Sequence, residues 1–368
     1  MNAMREIYAL ELSLLVKELK AFEGFYIDKF YELREGAFRI RASKKGEKAD
    51  LICTIKSGMW RASEAPVQER PTPFVAAVRK RVSGYFIENI RQMNNDRILA
   101  IDLKKGDSRI IMLFEMVAKG NLLILDDSLK IGLVYKQGSF KERSMRIGDA
   151  YTLPKNKSVD YLSIGKSIKI NEDGQAPIIS ALGKMVNMGP LYIEEALARL
   201  GISPKRRAEE ISEGTLQDIS GSIGEILKEA GAGNYIIYKK EGRNVDYSVC
   251  RIRKYEGLEK EEYRNMQQLL DKFYSAELFR PEAAIDEKAK ELEESIKKQR
   301  KIMEGMDSRM AAEREAAEAI FKNMQLINNM ITMLQQEKRL TKEELQKRFA
   351  GVKVLEVDLK KKSFIIEV

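Results

Sequence analysis

Arg79, Lys80 and Arg81 stand consecutively in RPTPFVAAVRKRVSG, and a little further on an Asn-Asn-Asp turn in RQMNNDRIL feeds Arg97 into a strand. A run of cations favours a polyanion. A guanidinium beside a carboxylate suits phosphates and ribose hydroxyls: arginine forks onto phosphate oxygens, and aspartate accepts from a hydroxyl or a base amino group. Asp96 and Arg97, with the three cations, are therefore the candidate nucleic-acid ligands.

Such binding needs no proton shuttle, and the commonest one is missing. The chain has no histidine, which removes Ser–His and Cys–His nucleophile pairs and every histidine-ligated metal. Cys53 and Cys250 are too far apart in sequence for a CxxC motif and too few for a four-cysteine zinc site. No metal and no cofactor is expected. Chemistry by carboxylates and lysines stays open, as does binding without chemistry. Two cysteines in 368 residues suit a reducing cytosol.

Other chemical-looking residues read as structural. IGKS at 164–167 has the tail of a phosphate loop, but the required first glycine falls on Asp160. The Asp126-Asp127 pair ends a strand in a turn. Trp60 reads as core. The apolar run IIMLFEMVAKGNLLIL is broken by Glu115, Lys119 and Gly120, so no membrane span is expected.

Charge is divided unevenly. Residues 1–170 hold 31 Lys and Arg against 21 Asp and Glu, a balance of +10, whereas 171–368 hold 34 against 35, or −1. A basic half on a neutral half is the electrostatic outline of a polyanion-binding module.

The elements that must position these residues follow from periodicity. ALELSLLVKELKA places Leu12, Val16 and Leu19 on one helical face. FYIDKFYEL, AFRIRAS and ADLICTI read as strands. A helix entered through Pro71 and Pro73 follows, then strands in YFIENIRQM, RILAIDLKK, SRIIMLFEMV, NLLILDD and KIGLVYK. Residues 1–172 thus form an α+β domain with a mainly antiparallel sheet, since hairpin-length links join consecutive strands. Residues 173–284 read as short helices (IISALGKMVNM, LYIEEALARL, PKRRAEEI, TLQDISGSIGEILKEA), then a strand pair and a helix over about 261–278.

Residues 285–350 carry a heptad seam. Alternating steps of four and three from Ile285 to Leu334 visit 15 positions, of which only Gln299 and Glu313 are not apolar. Met303, Met306, Met310 and Met324 fall on this seam and read as packing residues. A seam of this length needs a partner. Residues 351–368 offer only two alternating strands, so either the helix dimerises or its returning helix lies outside this chain; the second reading is favoured.

The order of these motifs resembles the N-terminal module of the NFACT family: ALELSLLVKEL, IKSGMWR, RPTPFVAAVRKRVSG, NNDRIL and FEMVAKGNLLILDD, then GPLYIEEALARLGI and the long helix. That family includes ribosome quality-control factors which tail stalled nascent chains, and older members were named fibronectin-binding proteins. The resemblance implies a glycosylase-like N-terminal fold, a helix-hairpin-helix domain and an antiparallel coiled coil with a small β tip. It implies a cytoplasmic binding factor, not an enzyme, whose partners are tRNA and the large ribosomal subunit carrying stalled peptidyl-tRNA. It further implies that Asp96 and Arg97 contribute to tRNA binding and tailing. Glu11 stands where the family has an aspartate, and Arg79 and Lys80 match its arginine-lysine helix; Gly120 and Asn121 match a structural turn. The family's downstream RNA-binding domain is expected to be absent. Two rival readings are a nucleic-acid glycosylase or lyase and an adhesin. The chain lacks the N-terminal proline amine and zinc finger of the first. For the second, no signal-peptide layout is read.

Overall fold

In runs such as Ile98-Leu99-Ala100-Ile101-Asp102-Leu103 successive side chains must point to opposite faces of a sheet. The computed structural model describes residues 5–64, 70, 72–140, 143–155, 175–278, 282–336, 341–358 and 361–367. In it the chain runs α1 (Ala9–Leu19), β1 (Tyr26–Arg34), β2 (Ala37–Lys44), β3 (Glu47–Thr54), β4 (Gly58–Arg61), α2 (Pro73–Val82), β5 (Phe86–Gln92), β6 (Ile98–Lys105), β7 (Ser108–Glu115), β8 (Asn121–Asp126) and β9 (Ile131–Val134). The nine strands form one sheet in the order β4-β3-β2-β1-β5-β6-β7-β8-β9. It is two antiparallel meanders, joined where β1 meets β5 at Tyr26 and Phe86. A mainly antiparallel α+β fold is thus what the alternation gives.

The sheet curls so that the chain beyond its β9 edge reaches the end of β1. Just beyond β9, the Tyr135 hydroxyl donates to Glu32 and accepts from the Gly36 amide at 3.1 Å. Phe30, Phe38, Ile40, Leu99, Ile101 and Phe114 fill one face with the leucines of α1. The alternate residues Ile98, Ala100, Leu113, Leu123 and Leu125 form a second core with Met145 and Tyr151, beside the hairpin of β10 (Gly138–Phe140) and β11 (Arg143–Met145). Trp60 is fully buried and stacks on Tyr274, 5.2 Å between ring centres. Asp126 accepts from the amides of Ser128 and Lys130 and ends β8 in a turn, as its sequence suggests. The IGKS segment lies outside the described residues.

Further on come α3 (Ile178–Met185), α4 (Pro190–Arg199), α5 (Glu213–Gly231), β12 (Tyr235–Lys240), β13 (Arg243–Ser248), β14 (Glu259–Tyr263) and α6 (Met266–Leu278). Two expectations change here. PKRRAEEI gives only a three-residue turn of helix at Ala208–Glu210. Its backbone is used elsewhere: Ile178 N donates to Arg206 O at 2.7 Å and Ala208 N to Ala176 O at 2.9 Å. The expected helix from about 261 begins at Met266, because Glu259–Tyr263 pairs with β12 as a third strand. Residues 2–280 form one compact unit. A single buried cluster runs from Ile7 to Leu278, so the expected boundary at 172/173 does not divide two packing units.

Residues 281–368 form a second unit: α7 (Glu282–Lys322), α8 (Met324–Gln336), α9 (Lys342–Arg348) and a hairpin of β15 (Lys353–Asp358) and β16 (Ser363–Glu367). The long helix is not continuous to Leu334. It breaks at Asn323, whose side chain bonds back to Ala319 O at 2.9 Å. Within this unit, Met303, Met306 and Met310 of the seam are each more than 60% exposed, whereas Met330 and Leu334 are buried. Met330 packs with Leu345 and Val354. No described helix is long and apolar enough to cross a membrane.

Candidate nucleic-acid interface

The segment before α1 is tied to both the sheet and the helical region. The Ile7 amide donates to Lys56 O at 3.0 Å. The Arg5 carbonyl accepts from Ser57 Oγ at 2.9 Å and from the Tyr274 hydroxyl at 2.7 Å. The Arg5 guanidinium forks onto Glu11 at 2.6 and 2.7 Å, pairs with Asp246, and lies 3.7 Å from the centre of the Tyr247 ring. Burial alone would lower the basicity of Arg5; Glu11, with help from Tyr247 and Asp246, outweighs it and raises it.

Glu11 is fully buried. Besides Arg5 it accepts from the Tyr8 amide at 2.8 Å and the Tyr192 hydroxyl at 2.5 Å. Burial, with Glu11 adjacent, pushes the Tyr192 hydroxyl well above its usual range, so it stays a donor. The sequence offers Glu11 as a ligand. Its depth corrects that: the carboxylate holds Arg5 and faces no solvent.

Its half-buried neighbour is Glu6. One carboxylate oxygen meets Lys56 Nζ and the other meets Arg97 Nη1. Burial raises the Glu6 carboxyl, but the hydrogen bonds from Lys56 and Arg97 more than offset this and hold it below the usual carboxylate range. A folded-state value below the unfolded one means that this contribution is present above the ordinary carboxylate range. It is lost only as pH falls through the lowered value. At neutral pH the bridge is intact.

Asp96 and Arg97 sit in the β5–β6 connection, where Asn94 and Asn95 take left-handed conformations (φ 57° and 47°). Asparagine tolerates these better than most residues. Asp96 Oδ1 accepts from the Arg97 amide at 2.7 Å and from Asn187 Nδ2 at 3.1 Å. Asn187 lies between α3 and α4, so Asp96 fixes that loop while Arg97 points to Glu6. Gly189 follows with φ +107°, and a Cβ there would sit 2.5 Å from Cγ of Tyr8. Gly189→Ala is expected to lose about 2 kcal/mol or more of stability from positive φ and overpacking. A lowered urea midpoint with an unchanged slope would show it.

Helix α2 is held apart from this cluster. Thr72 caps it, accepting from the Val75 amide at 3.3 Å and donating to Glu32 at 2.9 Å. Arg79 donates to Phe30 O and Arg81 to Gly132 O, each at 2.7 Å. All three cations of the helix are exposed, yet two are oriented by backbone carbonyls. The described contacts do not bring them to Arg97. Gly120 and Asn121 are structural: a Cβ on Gly120 would meet Ile55 O at 2.2 Å, and Asn121 pairs with the backbone of Lys136.

Arg5, Glu6, Lys56 and Asn187 were not singled out from sequence. Lys56 lies inside IKSGMWR, and Asn187 stands two residues before GPLYIEE, so both lie in stretches that resemble the family without themselves standing out as ligands. Among the described residues, no group of three metal-ligating side chains converges.

Comparison with known proteins agrees with this architecture. The chain is 21% identical over 357 residues to the archaeal Rqc2 homologue aRqcH of Methanocaldococcus jannaschii, covering 90% of this chain and 52% of that protein. It is 22% identical to the ribosome quality control complex subunit NEMF homologue of Drosophila melanogaster, covering 87% and 39%. The chain thus spans about half or less of these relatives' lengths. Among solved structures, the fibrinogen binding protein of Staphylococcus aureus matches with a TM-score of 0.61 at 19% identity, covering 73% of this chain and 98% of that one. The N-terminal part of the fibronectin/fibrinogen-binding protein of Streptococcus suis matches at 0.58 and 18%, covering 74% and 100%; at such identities the likeness is one of fold. The profile described as "NFACT N-terminal and middle domains" matches residues 9–366, and the chain belongs to that family.

Proposed function

We propose that this chain is the tRNA-binding and ribosome-spanning part of a ribosome quality-control factor. The observation that carries the reading is the Glu6 carboxylate held between Lys56 and Arg97. Two cations already placed around one oxyanion can take a phosphate in its stead. The names of the relatives, and the +10 balance of residues 1–170, point the same way.

In this reading residues 1–172 hold tRNA, with Arg97 and Lys56 on phosphate and Asp96 as a positioning residue. Arg79, Lys80 and Arg81 provide a second line of positive charge. Residues 173–284 act as a helix-hairpin-helix domain, α3 and α4 meeting at Gly189. Residues 285–350 form one arm of an antiparallel coiled coil and 351–368 its tip. The factor positions tRNA on the large subunit beside a stalled nascent chain and supports template-independent tailing in the cytoplasm. Peptide-bond formation is left to the ribosome, so no side chain is assigned as a catalyst.

Co-sedimentation tests this. The chain should pellet with large subunits that carry peptidyl-tRNA and far less with empty ones. Equal pelleting with both would overturn the proposal. Glu6→Gln should tighten tRNA binding roughly two- to fivefold in a filter assay, the range set by an ion pair exposed to this degree. Weaker binding would show that the carboxylate assists the RNA and does not compete with it.

A further inference from the structure

At the other end of the β5–β6 hairpin from Asp96, a row of side chains crosses six strands. Lys48 pairs with Ser43, Ser43 with Tyr26, Tyr26 with Phe86, Phe86 with Lys104, and Lys104 with Arg109. Residues directly opposed on antiparallel strands project from the same face. The flanking residues Ile27, Ala42, Ala49, Ile87 and Leu103 are buried on the opposite face, which fixes the outward direction of the row. At roughly 4.8 Å between strands it is about 24 Å long. At about 3.3 Å per residue, β5 separates it from the Asp96 turn by roughly 20 Å.

Two features distinguish this row from an ordinary solvated sheet face. Its centre is aromatic: Tyr26 is 52% exposed, with its ring 5.6 Å from that of half-buried Phe86. Its flanks are basic: within one residue of the six positions there are five cations, Lys44, Lys48, Lys104, Lys105 and Arg109, and one carboxylate, Glu47. Glu47 is turned away onto Arg61 at 2.9 Å. Glu88, from the bulged part of β5, meets Lys104 at 3.5 Å and Arg109 at 3.0 Å, and Asp28 accepts from Ser43 at 2.9 Å. Those two carboxylates reduce the field without covering the rings.

An exposed tyrosine ring beside a half-buried phenylalanine, flanked by lysines, fits unpaired bases, whose faces stack while the phosphates lie along the cations. A double helix presents no base faces, and an acidic peptide has nothing to place on Tyr26. We infer that this face of the sheet is a second nucleic-acid site, which binds three or four nucleotides of single-stranded RNA across Tyr26 and Phe86. It is separate from the Asp96–Arg97 cluster, and either site can fail without the other.

The test uses the full chain, a fluorescein-labelled ten-residue uridine oligomer, and anisotropy as the readout. Tyr26→Ala should weaken binding about 5- to 150-fold, the loss of one stacked base, while Tyr26→Phe keeps it. Lys48→Ala should make the salt dependence shallower by about 0.7 in log–log slope, one phosphate contact on a single strand. Arg97→Ala should weaken oligomer binding far less than Tyr26→Ala does. Unchanged affinity in a Tyr26→Ala protein with wild-type thermal melting would overturn the inference. So would equally tight binding of a labelled ten-residue glutamate peptide, or an Arg97→Ala loss as large as that of Tyr26→Ala.

Discussion

Glu11→Ala is expected to lower the stability of the folded chain by about 3–5 kcal/mol, the range found when one partner of a buried ion pair is removed. The reason is the company Glu11 keeps. Arg5 forks onto it, and the Tyr8 amide and the Tyr192 hydroxyl both donate to it. Removing the carboxylate leaves a guanidinium whose side chain is 14% exposed with, among the described residues, Asp246 as its one remaining counter-charge, and takes away the acceptor of the Tyr192 phenol. Glu11→Asp, which keeps the charge and shortens the reach, should fall between. Urea unfolding gives the free energies. A loss under 1 kcal/mol for Glu11→Ala would mean that the Arg5 network holds through its other contacts. Because Arg5 also joins Asp246 and Tyr247 of β13 to α1, the variant should open the helical region as well as the start of the chain.

Arg97→Ala is the substitution with the largest expected effect on binding. Arg97 is 24% exposed and its guanidinium is aimed at Glu6 beside Lys56. Loss of one charge-assisted contact to phosphate costs about 1.5–3 kcal/mol, or roughly 10- to 150-fold in affinity for tRNA. The fold should survive, since the Arg97 backbone bonds, its amide donating to Asp96 and its carbonyl accepting from the Met116 amide, do not involve the side chain. Asp96→Ala should differ in kind. It loses the acceptor for the Arg97 amide and for Asn187, so the α3–α4 loop loosens. Faster amide exchange there, absent from Arg97→Ala, separates positioning from contact.

Much of the sheet was legible because its signals are local. Strand patterning marks β1 to β3 and β5 to β9, and Pro73 marks the start of α2, whereas the four-residue β4 is too short to show a pattern. α9 has an equally local mark: Thr341 and Glu344 form a capping box, with reciprocal bonds of 3.3 and 3.0 Å, which the heptad pattern of 285–350 overshadows. What the sequence hides is long-range. Glu11 looks like the polar side of an amphipathic helix until Tyr192, 181 residues on, closes over it. Helix propensity in PKRRAEEI loses to pairing with residues 176–178. Glu6 and Lys56 are unremarkable in sequence, since only the fold brings them to Arg97, 91 residues from Glu6. The seam of α7 is plain in sequence, and its exposed methionines fit that pattern.

The central claim, that residues around Arg97 grip the phosphates of tRNA, is tested most directly by tRNA affinity measured against salt concentration. Wild-type protein should show a steep linear fall of log affinity with log salt, and Arg97→Ala a fall shallower by about 0.7–0.9, the value of one phosphate contact. A wild-type affinity indifferent to salt, or an Arg97→Ala slope equal to that of wild type, would contradict it.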